Sequence, residues 1–175
     1  MAFETGNKAD GKHYWLIPDE LYNQLDDEFL FDFDPCPFPK PEDFDGLYDE
    51  WGESNYVNPP FGSYTCPHDG KKKGPTAWAK KAISEFKKGK QVVFLYPIDK
   101  WVLMMLEAGA KVRNMKDIKW LAIEDKQQGP GTGRHVACFI LTPEGFKSER
   151  KTGHRYTKRN SQKKKQIELF NHSQP

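Results

Sequence analysis

The alternation of apolar and polar positions divides the chain into short helices and strands separated by polar or proline-rich loops. Apolar residues at three- and four-residue spacing predict helices, and short apolar runs bounded by Gly or Pro predict strands. The predicted helices cover residues 18–27, 76–88 and 99–108. The predicted strands cover residues 29–33, 55–57, 91–96, 111–115, 120–123 and 136–141. Thr76 and Asp99 have the side chains expected of N-caps for the second and third helices.

The order of these elements predicts an α/β sheet with helices on its faces. The run at 91–96 is nearly all apolar, which is typical of a central parallel strand. The last two predicted strands follow each other closely, so they are expected to form an antiparallel closing pair. A length of 175 residues suits one domain, predicted at 1–146 with a loose arm at 1–12. Residues 147–175 have few apolar positions and are predicted to be a basic tail.

Composition excludes several classes of protein. The chain has no apolar stretch near the roughly 20 residues that a membrane span needs, and its N-terminus has no apolar signal sequence. Its 3 cysteines form no Cys-x-x-Cys pair, so neither a disulfide framework nor a metal site is expected. The expected location is the cytoplasm, or the host cytoplasm if a virus encodes the protein.

The net charge of +2 conceals a strong asymmetry along the chain. Residues 1–55 carry 3 lysines against 15 acidic residues, a net charge of −12. Residues 56–146 have a net charge of +7, and residues 147–175 another +7. A polyanion is therefore expected to contact the middle and the tail, while the acidic third faces elsewhere or holds a cationic ligand.

The sharpest motif is Asn58-Pro59-Pro60-Phe61, directly after a predicted strand. Two adjacent prolines remove two backbone N–H groups and fix two φ angles, so the turn offers only carbonyl oxygens. The Asn58 side chain adds a further acceptor, and Phe61 adds a flat apolar surface for a base. Such a turn suits a ligand amino group that has two hydrogens to donate. The predicted catalytic residues are these four.

The motif also matches the signature of amino-methyltransferases, and the sequence around it extends the match. Residues 15–61 contain, in order, W-x-x-P, E-F-x-F-D-x-D-P-C, D-G-L-x-x-x-W and V-N-P-P-F. This order and spacing resemble the phage-type DNA N-6-adenine methyltransferase family (Dam-like). Further along, A-W-A-K-K-A at 77–82 and F-L-Y-P at 94–97 resemble the family's helix and strand end. The resemblance covers about residues 13–142, with an insertion at 62–75.

The resemblance implies a compact Rossmann-like methyltransferase fold, with a mostly parallel sheet, an antiparallel closing pair and helices on both faces. It also implies S-adenosyl-L-methionine (AdoMet) as the methyl donor and adenine in double-stranded DNA as the substrate. The acidic first third suits the ammonium and sulfonium charges of AdoMet. The residues expected beside AdoMet are Trp15, Pro18, Asp34, Pro35 and Asp45. Asp34 is the expected partner of the ammonium group.

Basic residues near the motif are the expected contacts to the DNA backbone. They are Lys71, Lys72, Lys73, Lys80, Lys81 and Arg134. Arg134 follows a Gly/Pro loop before the last predicted strand, which fits a loop that touches DNA.

Other functions of the same turn stay open. Enzymes that methylate RNA adenine, the 4-amino group of DNA cytosine or protein glutamine amides use similar turns. The basic middle and tail favour nucleic acid over protein but do not separate DNA from RNA. The chain has no obvious glycine-rich AdoMet loop, so a non-catalytic, DNA-binding relic of a methyltransferase is a further alternative.

Overall fold

The computed structural model describes residues 10–131 and 133–149. Its helices are α1 (Asp19–Phe29), α2 (Pro75–Lys87) and α3 (Val102–Glu107). Its strands are β1 (Tyr14–Leu16), β2 (Ser54–Val57), β3 (Tyr64–Thr65), β4 (Lys72–Lys73), β5 (Gln91–Pro97), β6 (Lys111–Lys116), β7 (Leu121–Ala122) and β8 (Val136–Leu141). The sequence did not predict β1, β3 and β4, because two or three residues are too few to show a period. Most of the predicted arm and tail lies outside the described residues.

The central sheet has the strand order β2-β5-β8-β6. Only β2 and β5 are parallel, whereas β8 runs antiparallel to both of its neighbours, β5 and β6. The expectation of a Rossmann-like, mostly parallel sheet with helices on both faces is therefore wrong: the fold is a mixed α/β arrangement with mostly antiparallel pairs. An apolar run such as β5 is buried on both faces in either type of sheet, so its composition does not reveal the direction of its neighbours.

The predicted closing pair is also wrong in its partners. β7 pairs with β1 in a separate two-stranded antiparallel sheet, and β8 lies inside the central sheet instead. Sequence proximity favoured pairing of 120–123 with 136–141, but both long edges of β8 are already occupied by β5 and β6.

The predicted strand at 29–33 is reduced to a single residue. Helix α1 continues through Phe29 and ends at Leu30, which adopts a left-handed conformation with φ 52°. The Asp26 carboxylate accepts the Phe31 N–H at 3.0 Å. Only Phe33 forms a bridge, parallel to Asn55 at the edge of β2.

The predicted helix caps are corrected as well. Gly74 is the N-cap of α2, with Pro75 as its first residue, so Thr76 lies inside the helix. Proline suits this first position because its missing N–H would have no partner there in any case. Asp99 precedes α3 by a turn, in which its backbone carbonyl accepts the Val102 N–H at 3.0 Å.

Alternating side chains of β5 separate two apolar clusters. Val92, Phe94 and Tyr96 pack with residues of α2 and α3. Val93 and Leu95 pack in the second cluster, which includes residues of α1. Since successive side chains of a strand point to opposite faces, the two clusters lie on opposite sides of the sheet.

Candidate functional site

The Asn58–Phe61 motif lies at the carboxyl end of β2. The parallel partner of β2 is β5, with Val57 opposite Phe94, so both strands end at the same edge of the sheet. Asn58 and Pro59 are buried, and Pro60 is half-buried. The two prolines have no N–H to donate, so their backbone can offer only carbonyl oxygens at this edge.

The Asn58 side chain uses its two ends differently. Its Nδ2 donates to the backbone carbonyl of Trp15 at 2.7 Å. Its Oδ1 is buried and has no donor within hydrogen-bond distance anywhere in the described ranges. An unpaired acceptor in a residue that is only 3% exposed costs about 1–3 kcal/mol. Beside the two prolines, this acceptor could receive a hydrogen bond from a ligand that carries a donor.

Phe61 packs between two aromatic residues. Its ring is edge-on to Tyr96, at 5.2 Å between ring centroids, and edge-on to Trp120 at 4.8 Å. Phe61 is half-buried and contacts both apolar clusters. The sequence did not place Tyr96 and Trp120 at the site, although an aromatic residue near the end of the strand beside the motif was a usable signal.

The Tyr96 hydroxyl adds a contact to the turn itself. It donates to the Pro60 carbonyl at 3.4 Å. Burial raises the pKa of Tyr96, while the positive charge of Arg134 opposes the rise in part. The hydroxyl therefore stays protonated and remains a donor. Arg134 itself is exposed, and its effect on Tyr96 shows that its charge lies near this end of β5.

The loop with Asp34, Pro35 and Cys36 lies beside the motif because the Phe33 bridge runs parallel to β2. Asp34 is half-buried, and its Oδ1 accepts the Cys36 N–H at 2.8 Å. Burial raises the pKa of the Cys36 thiol well above its ordinary value, the Asp34 carboxylate raises it further, and the backbone N–H of Asn58 opposes this by donating to the sulfur. The thiol is neutral, and the loop and motif are in direct contact.

Asp45 comes to the same region on a second loop. The next residue, Gly46, is so close to Pro35 that a Cβ would overlap the Pro35 carbonyl oxygen. Asp45 is buried and accepts the Leu47 N–H at 3.1 Å and the Tyr64 hydroxyl at 3.1 Å. The structure thus brings the predicted cofactor residues Asp34, Pro35 and Asp45 together, and Asp45 already has protein partners.

Of the two predicted residues at the N-terminal side, Trp15 contacts the motif and Pro18 directly precedes α1. Trp15 is buried in β1, and its backbone carbonyl holds the Asn58 amide. Pro18 is the N-cap of α1 and its carbonyl accepts the Tyr22 N–H at 3.0 Å. Trp15 therefore contacts the motif through its backbone, a contact that side-chain patterns in the sequence do not reveal.

The predicted DNA-contacting lysines differ in their surroundings. Lys71, Lys72 and Lys80 are exposed. Lys73 is paired with Asp69 at 2.6 Å. Lys81 is paired with Glu85 at 3.0 Å and lies over the Trp51 ring at 5.9 Å from its centroid.

Residues 62–75 contain a hairpin that is fastened to the Asp45 loop. Its strands are β3 and β4, with Tyr64 opposite Lys73. The Tyr64 hydroxyl binds Asp45, and the Tyr48 hydroxyl donates to Asp69 at 3.1 Å. The exposed Lys71 and Lys72 are thereby held next to the motif on an anchored segment.

The chain resembles no known protein in the comparisons, and its described residues contain neither a metal-binding group nor a membrane-spanning helix. The chain matches no protein-family profile, no curated protein and no solved structure. Within residues 10–131 and 133–149, no group of three or more His, Cys, Asp or Glu side chains is arranged to hold a metal ion. In the same part of the chain, no helix is long and apolar enough to cross a bilayer. The family resemblance therefore stays a prediction based on the motifs.

Proposed function

We propose that this protein is an AdoMet-dependent methyltransferase that methylates the 6-amino group of adenine in duplex DNA. The observation that carries the proposal is the buried, unpaired Oδ1 of Asn58 at a turn whose two prolines have no N–H to donate. An exocyclic amino group has two hydrogens to donate and fits this set of acceptors. A hydroxyl or carbonyl group as ligand would leave acceptors unpaired or face them with another acceptor.

The proposed role of the motif is to orient the amine. Asn58 Oδ1 and the Pro59 carbonyl each accept one amine hydrogen, which raises electron density on nitrogen and fixes the direction of its lone pair. AdoMet, when bound, supplies an activated methyl group. The acceptors also favour the positive charge that develops on nitrogen. Because Oδ1 is buried, the neighbouring side chains must move aside for the amine to reach it.

The acidic loops beside the motif support a cationic methyl donor. Asp34 is half-buried, and its carboxylate accepts the backbone N–H of Cys36, a residue that contacts the motif. Its carboxylate is the proposed partner of the AdoMet ammonium group. Asp45, which already binds Tyr64 and Leu47, is better suited to hold the loop and hairpin in position than to bind the ammonium directly.

The basic hairpin supports nucleic acid as the substrate. Lys71 and Lys72 are exposed on an anchored segment that follows the motif by about ten residues. An adenine in a duplex is reached by turning it out of the helix, which costs a few kcal/mol. Stacking of the base on Phe61 and contacts between lysines and phosphates are the proposed compensation.

The test is methyl transfer from tritiated AdoMet to unmethylated duplex DNA, followed by mass spectrometry of the nucleosides. N-6-methyladenine is the expected product, and matched reactions with RNA, with cytosine-only targets and with protein identify the other substrate classes. Asn58→Ala serves as the inactive control at an equal concentration of folded protein. DNA binding without AdoMet binding in calorimetry and without methyl transfer would support the DNA-binding relic and contradict the proposal.

A further inference from the structure

The contact between the Asn58 side chain and the Trp15 backbone has a directional consequence. An amide side chain has a donor end and an acceptor end of nearly equal shape. With Nδ2 towards the Trp15 carbonyl, a hydrogen bond of 2.7 Å forms. With the amide turned over, two carbonyl oxygens would face each other at that distance in a buried site, which is strongly unfavourable.

We infer that the Trp15 carbonyl is a positioning group, which locks the Asn58 amide so that it presents oxygen, and never its NH2 group, to the ligand of the motif. The identity of that ligand rests on the proposed function, but the locked orientation does not. In this role Trp15 acts through Asn58 and needs no contact of its own with the amine.

The elements around Trp15 explain why its carbonyl is available in this position. Trp15 lies between Tyr14 and Leu16, the two residues of β1 that pair with β7, and the register of the pairing shifts there. The Trp15 side chain is buried, with its ring edge-on to Phe38. The pairing of β1 and the packing of the Trp15 side chain therefore fix the residue, while its carbonyl accepts a hydrogen bond from the Asn58 Nδ2.

The lock makes Asn58 chemically different from an aspartate at the same place. A carboxylate in the same position would place a negative oxygen against the Trp15 carbonyl, and only a protonated carboxyl can donate to it. A neutral carboxyl would keep the second oxygen as an acceptor and so reproduce the amide. The titratable and charged groups around the motif are Asp34, Cys36, Lys40, Asp45, Tyr96, Asp99 and Arg134. Burial and the three acidic neighbours disfavour a further negative charge.

The first experiment examines the wild-type full-length protein by NMR. A coupling across the hydrogen bond, from the Asn58 side-chain nitrogen to the Trp15 carbonyl carbon, is expected, together with slow exchange of the bonded Nδ2 proton. Rapid exchange of both side-chain protons and no such coupling would overturn the lock. This measurement needs no variant, no AdoMet and no DNA.

The second experiment uses Asn58→Asp, with Asn58→Ser and Asn58→Ala as variants that do not titrate. The introduced carboxyl is expected to titrate above about pH 6, against about 3.9 for a free aspartate. Because its folded-state pKa is raised, the variant should be most stable below about pH 3.9 and lose stability as the pH rises from there to the raised value. Thermal unfolding against pH checks this. A normal aspartate pKa and a pH-independent difference from Asn58→Ala would contradict the inference.

Activity supplies a third measurement, which separates the lock from the proposed function. The rate of Asn58→Asp relative to wild type should fall about tenfold for each pH unit above the carboxyl's titration point, since only the neutral form mimics the amide. Full activity of the ionised variant would overturn the lock. If wild-type protein methylates nothing while the NMR coupling and the raised titration point are found, the proposed function fails and the lock stands.

Discussion

Asn58 and Glu85 are buried polar residues near opposite ends of the same sheet, and they differ in their partners. At the carboxyl end of β2, Asn58 Oδ1 is buried without a donor. Near the amino end of β5, the fully buried Glu85 carboxylate is surrounded by the ammonium groups of Lys81, Lys88 and Lys90, at 3.0, 2.7 and 2.9 Å. Lys90 also donates to the Trp51 carbonyl at 2.6 Å. The Asn58 acceptor has no donor, whereas the Glu85 carboxylate is surrounded by three cations.

The difference separates groups that serve stability from groups that serve binding. Burial alone would raise the pKa of Glu85, but its hydrogen bonds to the three lysines outweigh burial and lower the pKa to about 2. A carboxylate held this way fastens α2 to the start of β5. Asn58 gives the fold no such benefit on its Oδ1 side, and in the proposed function the ligand amine offsets the cost of this acceptor. Substitutions at the two ends should therefore have separable effects.

The largest effect on stability is expected for Glu85→Gln. Three lysines would lose a buried carboxylate, and the free energy of unfolding should fall by about 3 kcal/mol. Urea denaturation measures this, with Glu107→Gln on the exposed side of α3 as the matched control. Methyl transfer per folded molecule should not change. A loss of methyl transfer per folded molecule in Glu85→Gln would show that Glu85 serves activity as well as stability.

The same carboxylate predicts a pH dependence. Because the folded-state pKa of Glu85 is lowered to about 2 from an ordinary 4.5, its contribution is complete above about pH 4.5. It is lost progressively as the pH falls towards 2. The difference in melting temperature between wild type and Glu85→Gln should thus be largest near neutral pH and shrink in acid. A difference that stays constant from pH 6 to pH 2.5 would show that the ion pairs do not stabilise the fold.

The opposite pattern is expected for Asn58→Ala. Methyl transfer should fall at least about a hundredfold, because the oriented acceptor at the reacting centre is gone. Stability should change by only about 1 kcal/mol, since the loss of the Trp15 hydrogen bond is partly offset by removal of the unpaired oxygen. Turnover per folded molecule and urea denaturation are measured together. Wild-type turnover by this variant would end the mechanism proposed for the motif.

A smaller effect is expected at Asp34, where charge and loop geometry can be separated. Asp34→Asn keeps an oxygen that can accept the Cys36 N–H but removes the negative charge. AdoMet affinity should fall about tenfold, as when a charge-assisted hydrogen bond is lost. Calorimetry of AdoMet binding measures this. Asp34→Ala should bind AdoMet at least as weakly as Asp34→Asn does. Equal AdoMet affinity in wild type and Asp34→Asn would remove the Asp34 charge from the cofactor site.

The smallest effect concerns the exposed lysines of the hairpin. Replacement of Lys71 and Lys72 by Ala should lower the slope of log affinity for DNA against log salt by about two. Lys111→Ala, on the strand of the central sheet furthest from β2, is the matched control and should leave the slope unchanged. An unaltered slope in the double variant would place the DNA surface elsewhere.

The sequence predicted local features better than the way they assemble. The α1 region and the β2, β5 and β8 runs follow from apolar spacing, and the position of Asn58 after a strand follows from the prolines. The direction of β8 relative to its neighbours cannot be predicted in this way, because an apolar strand has the same sequence pattern whether its neighbours are parallel or antiparallel. The Trp15–Asn58 contact was beyond prediction for a related reason: it runs from a backbone carbonyl to a residue 43 positions away.

The end of the predicted strand at 29–33 shows how a local polar contact overrides an apolar run. Phe29, Phe31 and Phe33 alternate with polar or shorter residues, which is a strand pattern. The Asp26 carboxylate nevertheless binds the Phe31 N–H, and Leu30 adopts a left-handed turn. A side chain inside α1 thus decides where the helix ends, and only Phe33 is left to extend β2's edge.

The three thiols of the chain, at Cys36, Cys66 and Cys138, are all free and buried. Because Cys36 touches the backbone of Asn58, alkylation of its sulfur requires the motif and its loop to separate. In a protein with Cys66 and Cys138 replaced by Ala, the rate of alkylation at Cys36 reports how often this one site opens. Any ligand bound at the turn should lower this alkylation rate, whether or not the ligand becomes methylated. Ligand binding can therefore be measured without detecting a methylated product.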